Sequence, residues 1–242
     1  MVTAALQAAR TKFLEAGASP PIASPNRHEP WADTDAFETA LLAGDHREAL
    51  AVVNRCIDRG HGFLEVELHV IQSALYRIGE KWQTNQVTVA QEHIATAIVQ
   101  SVLTMGLLRT APLAPIGKRV LLACVEGNNH SVGLRMVTDA FLLAGWDVQY
   151  LGASVPTLAL LLQVAEWKPD LVGLSVSFAH QLRVVKEVIA KMSEQLGSAR
   201  PAVIIGGLAI NRLNQLADMV GADACGTDAQ AAVKIANQLV NA

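Results

Sequence analysis

The apolar residues of this chain change their period once, at the segment APLAPIGK (111–118). Before it, from Trp31 to about Thr110, they recur at helical spacing. After it, short and nearly continuous apolar runs alternate with helical stretches. A helix-period pattern does not settle as a strand, nor the reverse. The chain is therefore expected to fold as a helical unit followed by an α/β unit.

Four segments make up the helical unit: DTDAFETALLAGD, HREALAVVNRCIDRG, FLEVELHVIQSALYRIGEKW and TVAQEHIATAIVQSVLTMGLL. The first begins with a capping residue, Asp33 or Thr34, and stops at Gly44; the second stops at Gly60. Short connections between four amphipathic helices predict an antiparallel four-helix bundle over 31–112. The preceding residues, 1–30, hold a short helical pattern and then ASPPIASPNRHEP, whose Pro and Ser content marks a tail or linker.

Beyond the linker, RVLLACV, WDVQYLG, DLVGLSVS, AVIIGG and ADACG read as strands. Between them, SVGLRMVTDAFLLAG, TLALLLQVAEW, HQLRVVKEVIAKMSEQLG and NRLNQLADMVG read as helices, and DAQAAVKIANQLVN closes the chain. Continuous apolar strands alternating with helices predict a five-stranded parallel sheet covered on both faces. The expectation for 118–242 is a doubly wound, flavodoxin-like α/β domain. Ligands of such domains bind beyond the carboxyl ends of the strands. His130, Ser154, Ser175, Ser177, Gly206 and Gly207 all fall there.

Composition narrows the function. The 242 residues are 51% hydrophobic, carry a net charge of −3 and contain no polybasic stretch. Direct DNA binding is not expected, because affinity for phosphates needs clustered Lys and Arg. The three cysteines, Cys56, Cys124 and Cys225, are scattered and form neither a CxxC site nor a disulfide framework. No apolar run is long enough to cross a membrane, and the first residues lack a signal-peptide pattern. A cytoplasmic protein is expected.

The α/β unit has no GxGxxG after its first strand and no GxxxxGK[ST], so dinucleotide and P-loop chemistry lack their fingerprints. His130, in NNHSVG, stands where such folds place a phosphate loop. A lone histidine there is ordinarily a cap or a surface residue, and GG at 206–207 is ordinarily a tight turn. In the bundle, Trp82 followed by Glu92 and His93 is ordinarily a core-closing aromatic and a solvated pair.

Taken in order, N-x-H-x-x-G (128–133), LGASVP (151–156), GLSVS (173–177), GG (206–207) and GADACGTDAQAAV (221–233) resemble the cobalamin-binding domain family. The resemblance covers the whole second unit. It implies that His130 is the lower axial cobalt ligand. It also implies that Asn128, Gly133, Ser154, Ser175, Ser177, Gly206 and Gly207 line the cofactor site. Neutral imidazole is a good donor to a transition metal. The W-x9-EH spacing further resembles the cap of CarH-type cobalamin photoreceptors, which assigns Trp82, Glu92 and His93 to the upper face. There a flat aromatic excludes water and Glu accepts hydrogen bonds from ribose hydroxyls.

Two positions depart from that pattern. Asn128 replaces the usual Asp, which would hydrogen-bond the histidine ring and raise its basicity; the Asn amide oxygen can accept the same bond without charge. Nearby Glu126 reads as a solvated loop acid. Gln83 stands where some of these photoreceptors carry a histidine. His180 is a weaker candidate for touching the cofactor, and His28, His46, His61 and His69 have no comparable context.

The resemblance implies a cobalamin-binding sensor, with adenosylcobalamin favoured over methylcobalamin, that answers light by cobalt–carbon photolysis. It would regulate transcription through a separate protein partner, without direct DNA contact. A sensor or binding protein is expected rather than an enzyme, and a homo-oligomer is left open. The alternative is a corrinoid methyl carrier of a methyltransferase system, for which the stand-alone layout speaks; a simple cobalamin carrier is a third reading.

Overall fold

The computed structural model describes residues 28–212 and 220–240. Most of the tail at 1–30 and most of the expected helix NRLNQLADMVG lie outside the described residues. Helix α1 (Asp33–Ala43) follows Ala32, which makes no side-chain cap. Thr34, one of the two expected caps, is instead buried and donates to the His69 carbonyl. Gly44 ends α1 in the left-handed conformation, where a residue without Cβ is unstrained. Asp45 caps α2 (His46–Asp58) by accepting from the amides of Arg47 and Glu48.

The third helix, α3 (63–83), runs through three pieces: α-helical Phe63–Val66, π-helical Glu67–Ile71 and α-helical Gln72–Gln83. The π segment was not legible in the apolar spacing. Thr88 and Gln91 form a capping box at the start of α4 (Val89–Leu108). Gly106 costs α4 about 1 kcal/mol of helix propensity. It is there because a Cβ would lie 2.1 Å from the Phe63 ring. Phe37, Leu41, Val52, Phe63, Ile71, Ile98 and Leu103 fill the bundle core.

The α/β part contains β1 (Arg119–Val125), α5 (Val132–Leu143), β2 (Asp147–Val155) and α6 (Thr157–Trp167). It continues with β3 (Leu171–Ser175), α7 (Leu182–Leu196), β4 (Ala202–Gly206), α8 (Leu208–Arg212), β5 (Ala224–Gly226) and α9 (Ala229–Leu239). The sheet has five parallel strands in the order β2-β1-β3-β4-β5. Both β1 and β3 are buried almost throughout, as two covered faces require. From β1 the chain winds outward to β2, then returns past β1 to β3. The strand order thus reverses between β1 and β3, where an open α/β sheet leaves a crevice.

The linker is not a free tether. Leu113 and Ile116 donate their amides to the carbonyls of Leu143 and Gly145, at the end of α5. Met136 of α5 joins the bundle core, and Leu68 packs with Ala140 and Ala229. The helical and α/β parts therefore share an apolar interface along α5. Among the described residues, no helix is long and apolar enough to cross a membrane.

Candidate functional site

The sheet register aligns Cys124, Ser175, Gly206 and Gly226 across β1, β3, β4 and β5. This row is the carboxyl rim of the sheet, and the loops leaving it carry the expected residues. His130 lies between β1 and α5 with its side chain exposed. Its ring meets Phe178 edge-on at 5.3 Å, and Phe178 stacks on His180. Neither ring nitrogen of His130 has a hydrogen-bond partner among the described residues, so an imidazole lone pair is free at the crevice. Gly133 is exposed, and a Cβ there would meet nothing within 4 Å.

Asn128 behaves differently from its expected role. It is fully buried. Its Nδ2 donates to the Ser175 carbonyl at 2.9 Å, and its Oδ1 accepts from the His130 backbone amide at 3.2 Å. These partners set the amide's orientation: the nitrogen faces an acceptor and the oxygen a donor. The side chain thus ties the His130 loop to β3 instead of contacting the imidazole ring. A carboxylate could accept from His130 but could not donate to Ser175. Asn128→Asp is expected to place a charge against a carbonyl oxygen and destabilise the protein by about 1–3 kcal/mol, read as a lower urea midpoint at neutral pH.

The remaining strand-end residues fasten the loops together. Ser154, at φ 48°, accepts the Gly127 amide through Oγ and donates its own amide to the Asn128 carbonyl. Ser175 and Ser177 are buried. Gly207, at φ +102°, lies so close to β3 that a Cβ would sit 2.4 Å from the Val176 carbonyl oxygen. At Gly206 it would sit 3.0 Å from the Gly226 carbonyl. Both glycines thus admit neighbouring backbone, which is a reason for GG apart from any ligand.

Sequence reasoning passed over Gln181. It is 1% exposed, accepts from the amides of Ser177 and Phe178, and donates to the Gly127 carbonyl at 3.0 Å. It joins the β1 loop to the β3 loop. No capping-box signal marks it, because Phe178, three residues earlier, has no side-chain oxygen to complete one. Glu126, read as a solvated acid, accepts the Thr157 amide at 3.2 Å. Its charge sits at the start of α6, where the helix dipole favours it. Burial pushes the Cys124 thiol up to about 11, so Cys124 stays protonated and serves as packing.

The bundle residues stand apart from this network. Trp82, at the end of α3, is half-buried against the bundle core. Glu92 and His93 open α4. Glu92 accepts from Thr96 at 3.0 Å, and its other oxygen lies 2.7 Å from His93 Nδ1. His93 is largely exposed, with 74% of its side chain accessible. The end of α3 thus offers one aromatic, and the first turn of α4 one acceptor and one exposed imidazole. The donor set at the sheet rim fits a cobalt-centred cofactor: an unpartnered imidazole on a braced loop, with open space at Gly133.

Comparison with known proteins identifies the family of both parts of the chain. Residues 118–236 match the B12 binding domain, and residues 34–105 match a second model also described as a B12 binding domain. The HTH-type transcriptional repressor CarA of Myxococcus xanthus is 32% identical over 157 residues, 64% of this chain and 52% of the repressor. Dimethylamine corrinoid protein 3 of Methanosarcina acetivorans is 29% identical over 116 residues, 48% of this chain and 54% of that protein. The chain spans about half the length of these curated relatives. The monomethylamine corrinoid protein of Methanosarcina barkeri has the same fold, with a TM-score of 0.73 at 19% identity, over 86% of this chain and 98% of that one. With both its helical and its α/β part matched, the chain belongs to the B12-binding, that is cobalamin-binding, domain family.

Proposed function

We propose that this protein is a cobalamin-dependent light sensor that regulates transcription through a protein partner. When bound, an alkylcobalamin supplies a cobalt–carbon bond that light can break. His130 would hold the lower face, with Asn128, Ser154, Ser175 and Gln181 keeping its loop rigid. Trp82, Glu92 and His93 would cover the upper face and its organic group, which favours adenosyl over methyl. Loss of that group would remove what the bundle packs against and shift it relative to α5. The partner would read the difference between the two arrangements.

The observation that carries this reading is the Asn128 bridge. A methyl-carrying cycle benefits when the lower ligand leaves and returns with a proton, which an acid on its ring would couple. Here both ends of the residue behind His130 are spent on backbone groups, which favours steady ligation. The likeness to the CarA repressor supports the same direction.

The second reading, a corrinoid methyl carrier, draws on the likeness to the dimethylamine corrinoid protein. One experiment separates them. The full chain, loaded with adenosylcobalamin in the dark, is expected to change its absorption spectrum under green light. Its oligomeric or partner-bound state should change in step. Photolysis no different from free cofactor, with methyl transfer to or from a purified methyltransferase, would replace the first reading by the second.

A further inference from the structure

Two carboxyl side chains meet in the interface between the bundle and the α/β part. Glu67 opens the π-helical piece of α3, and Asp139 lies on α5, nine positions beyond His130. Both are fully buried. Arg135, one turn earlier on α5, donates Nε to Asp139 Oδ1 at 2.8 Å. Both oxygens of Glu67 and Oδ2 of Asp139 are without a donor. The apolar contact of Leu68, Ala140 and Ala229 closes the same interface.

Two ionised carboxylates facing one guanidinium leave a surplus negative charge in a dry site, which is costly. Among the described residues, Arg135 is the one cation acting on the pair, and no further positive charge offsets the surplus. From β2 comes the Tyr150 phenol, which donates to the Ser131 carbonyl. From α9 come Ala229 and Val233, while the neighbouring Asp228 lies 3.4 Å from His28 and caps Ala231. A single proton resolves the imbalance. On Glu67 it turns an acceptor into a donor towards Asp139, which keeps its charge beside Arg135. Burial, then the charge of Asp139, pushes the Glu67 carboxyl well above its ordinary range, and Arg135 opposes this only in part.

We propose that Glu67 and Asp139 form a proton-carrying latch, in which one shared proton closes the helical bundle onto α5 and opening of that interface expels it. The sign follows from linkage. Glu67 binds its proton more tightly closed than open, so closure is fully supported below the ordinary carboxyl value of 4.5. Support is lost as pH rises through the raised value. The latch shares α5 with the His130 loop, but it does not depend on what His130 binds, so cofactor-free protein tests it.

Infrared spectra of the full chain in H2O and D2O should show the carbonyl stretch of a protonated carboxyl persisting above the ordinary carboxyl range. Glu67→Gln should remove it. Asp139→Asn should remove it too, because Arg135 is then free to neutralise an ionised Glu67. Hydrogen exchange in 64–74 and 132–143, corrected for intrinsic rates, should accelerate more than tenfold over the pH span in which the band disappears. In Glu67→Gln it should not respond to that span. A wild-type protein without the band, a band that survives either variant, or exchange that ignores its loss would overturn the latch. Should Glu67→Gln fail to fold, the wild-type band and its fate in Asp139→Asn decide the matter.

Discussion

His130→Ala is expected to abolish protein ligation of cobalt while leaving the fold intact. The side chain is exposed and, among the described residues, makes one ring contact, with Phe178, so its removal opens no core cavity. Losing the ligand itself should cost affinity beyond the roughly 10–100-fold typical of losing a group behind a ligand. The decisive measurement is electron paramagnetic resonance of the bound cobalt(II) form, with and without 15N-histidine. Wild-type protein should show nitrogen coupling that changes with the label. The variant should show none that does. Label-independent coupling in the wild type would mean that the cofactor keeps its own base and that His130 has another role. Gly133→Ala is a useful companion: it lies in the first turn of α5 with nothing within 4 Å of the added Cβ, so apo stability should not fall and is expected to rise by about 0.4–1 kcal/mol.

Gly207→Ala is expected to damage the α/β part more than any change at His130. The backbone sits at φ +102°, where an L side chain is strained, and the new Cβ would lie 2.4 Å from the Val176 carbonyl oxygen. Backbone strain of about 1–3 kcal/mol and overpacking of about 1–3 kcal/mol together reach about 2–6 kcal/mol. Against a domain stability of ~5–15 kcal/mol, that is a large fraction. Val176 also accepts no slack, because its amide bonds the Gly206 carbonyl and its carbonyl accepts from Ala209. Urea unfolding followed by circular dichroism should show the loss. Gly206→Ala, with φ outside the left-handed region and its nearest contact at 3.0 Å, should lose clearly less. Equal losses would show that the close approach at Gly207 is not what demands glycine there.

Much of the architecture was legible because it is written in periodicity. The period change at 111–118 separates helices from strands, and a buried strand such as LVGLS needs no partner to be recognised. The covering of both sheet faces, and hence parallel strands, followed from the same runs. The position of His130 followed from strand-end placement, and the family from the ordered motifs after it. The helix start at Ala32 was less legible. Thr34 has the composition of a cap, but a carbonyl 35 residues away, that of His69, claims its hydroxyl.

What stayed hidden was pairing across sequence distance. Asn128 looked like a weakened relay to the imidazole because its nearest partner in sequence is His130. Its amide nitrogen is instead committed to Ser175, 47 residues on. Gln181 looked like a helix residue and proves to be a tie between two loops. Glu67 sits in an amphipathic run with nothing to mark it, and only the docking of α3 against α5 places it beside Asp139. The sequence alone determined the local elements, their order and the residue types at the sheet rim, because propensity and burial pattern act over a few residues. Tertiary structure alone decided where each buried polar group finds its partner. Burial makes an unpaired donor or acceptor costly, and the fold can settle that cost with atoms from anywhere in the chain.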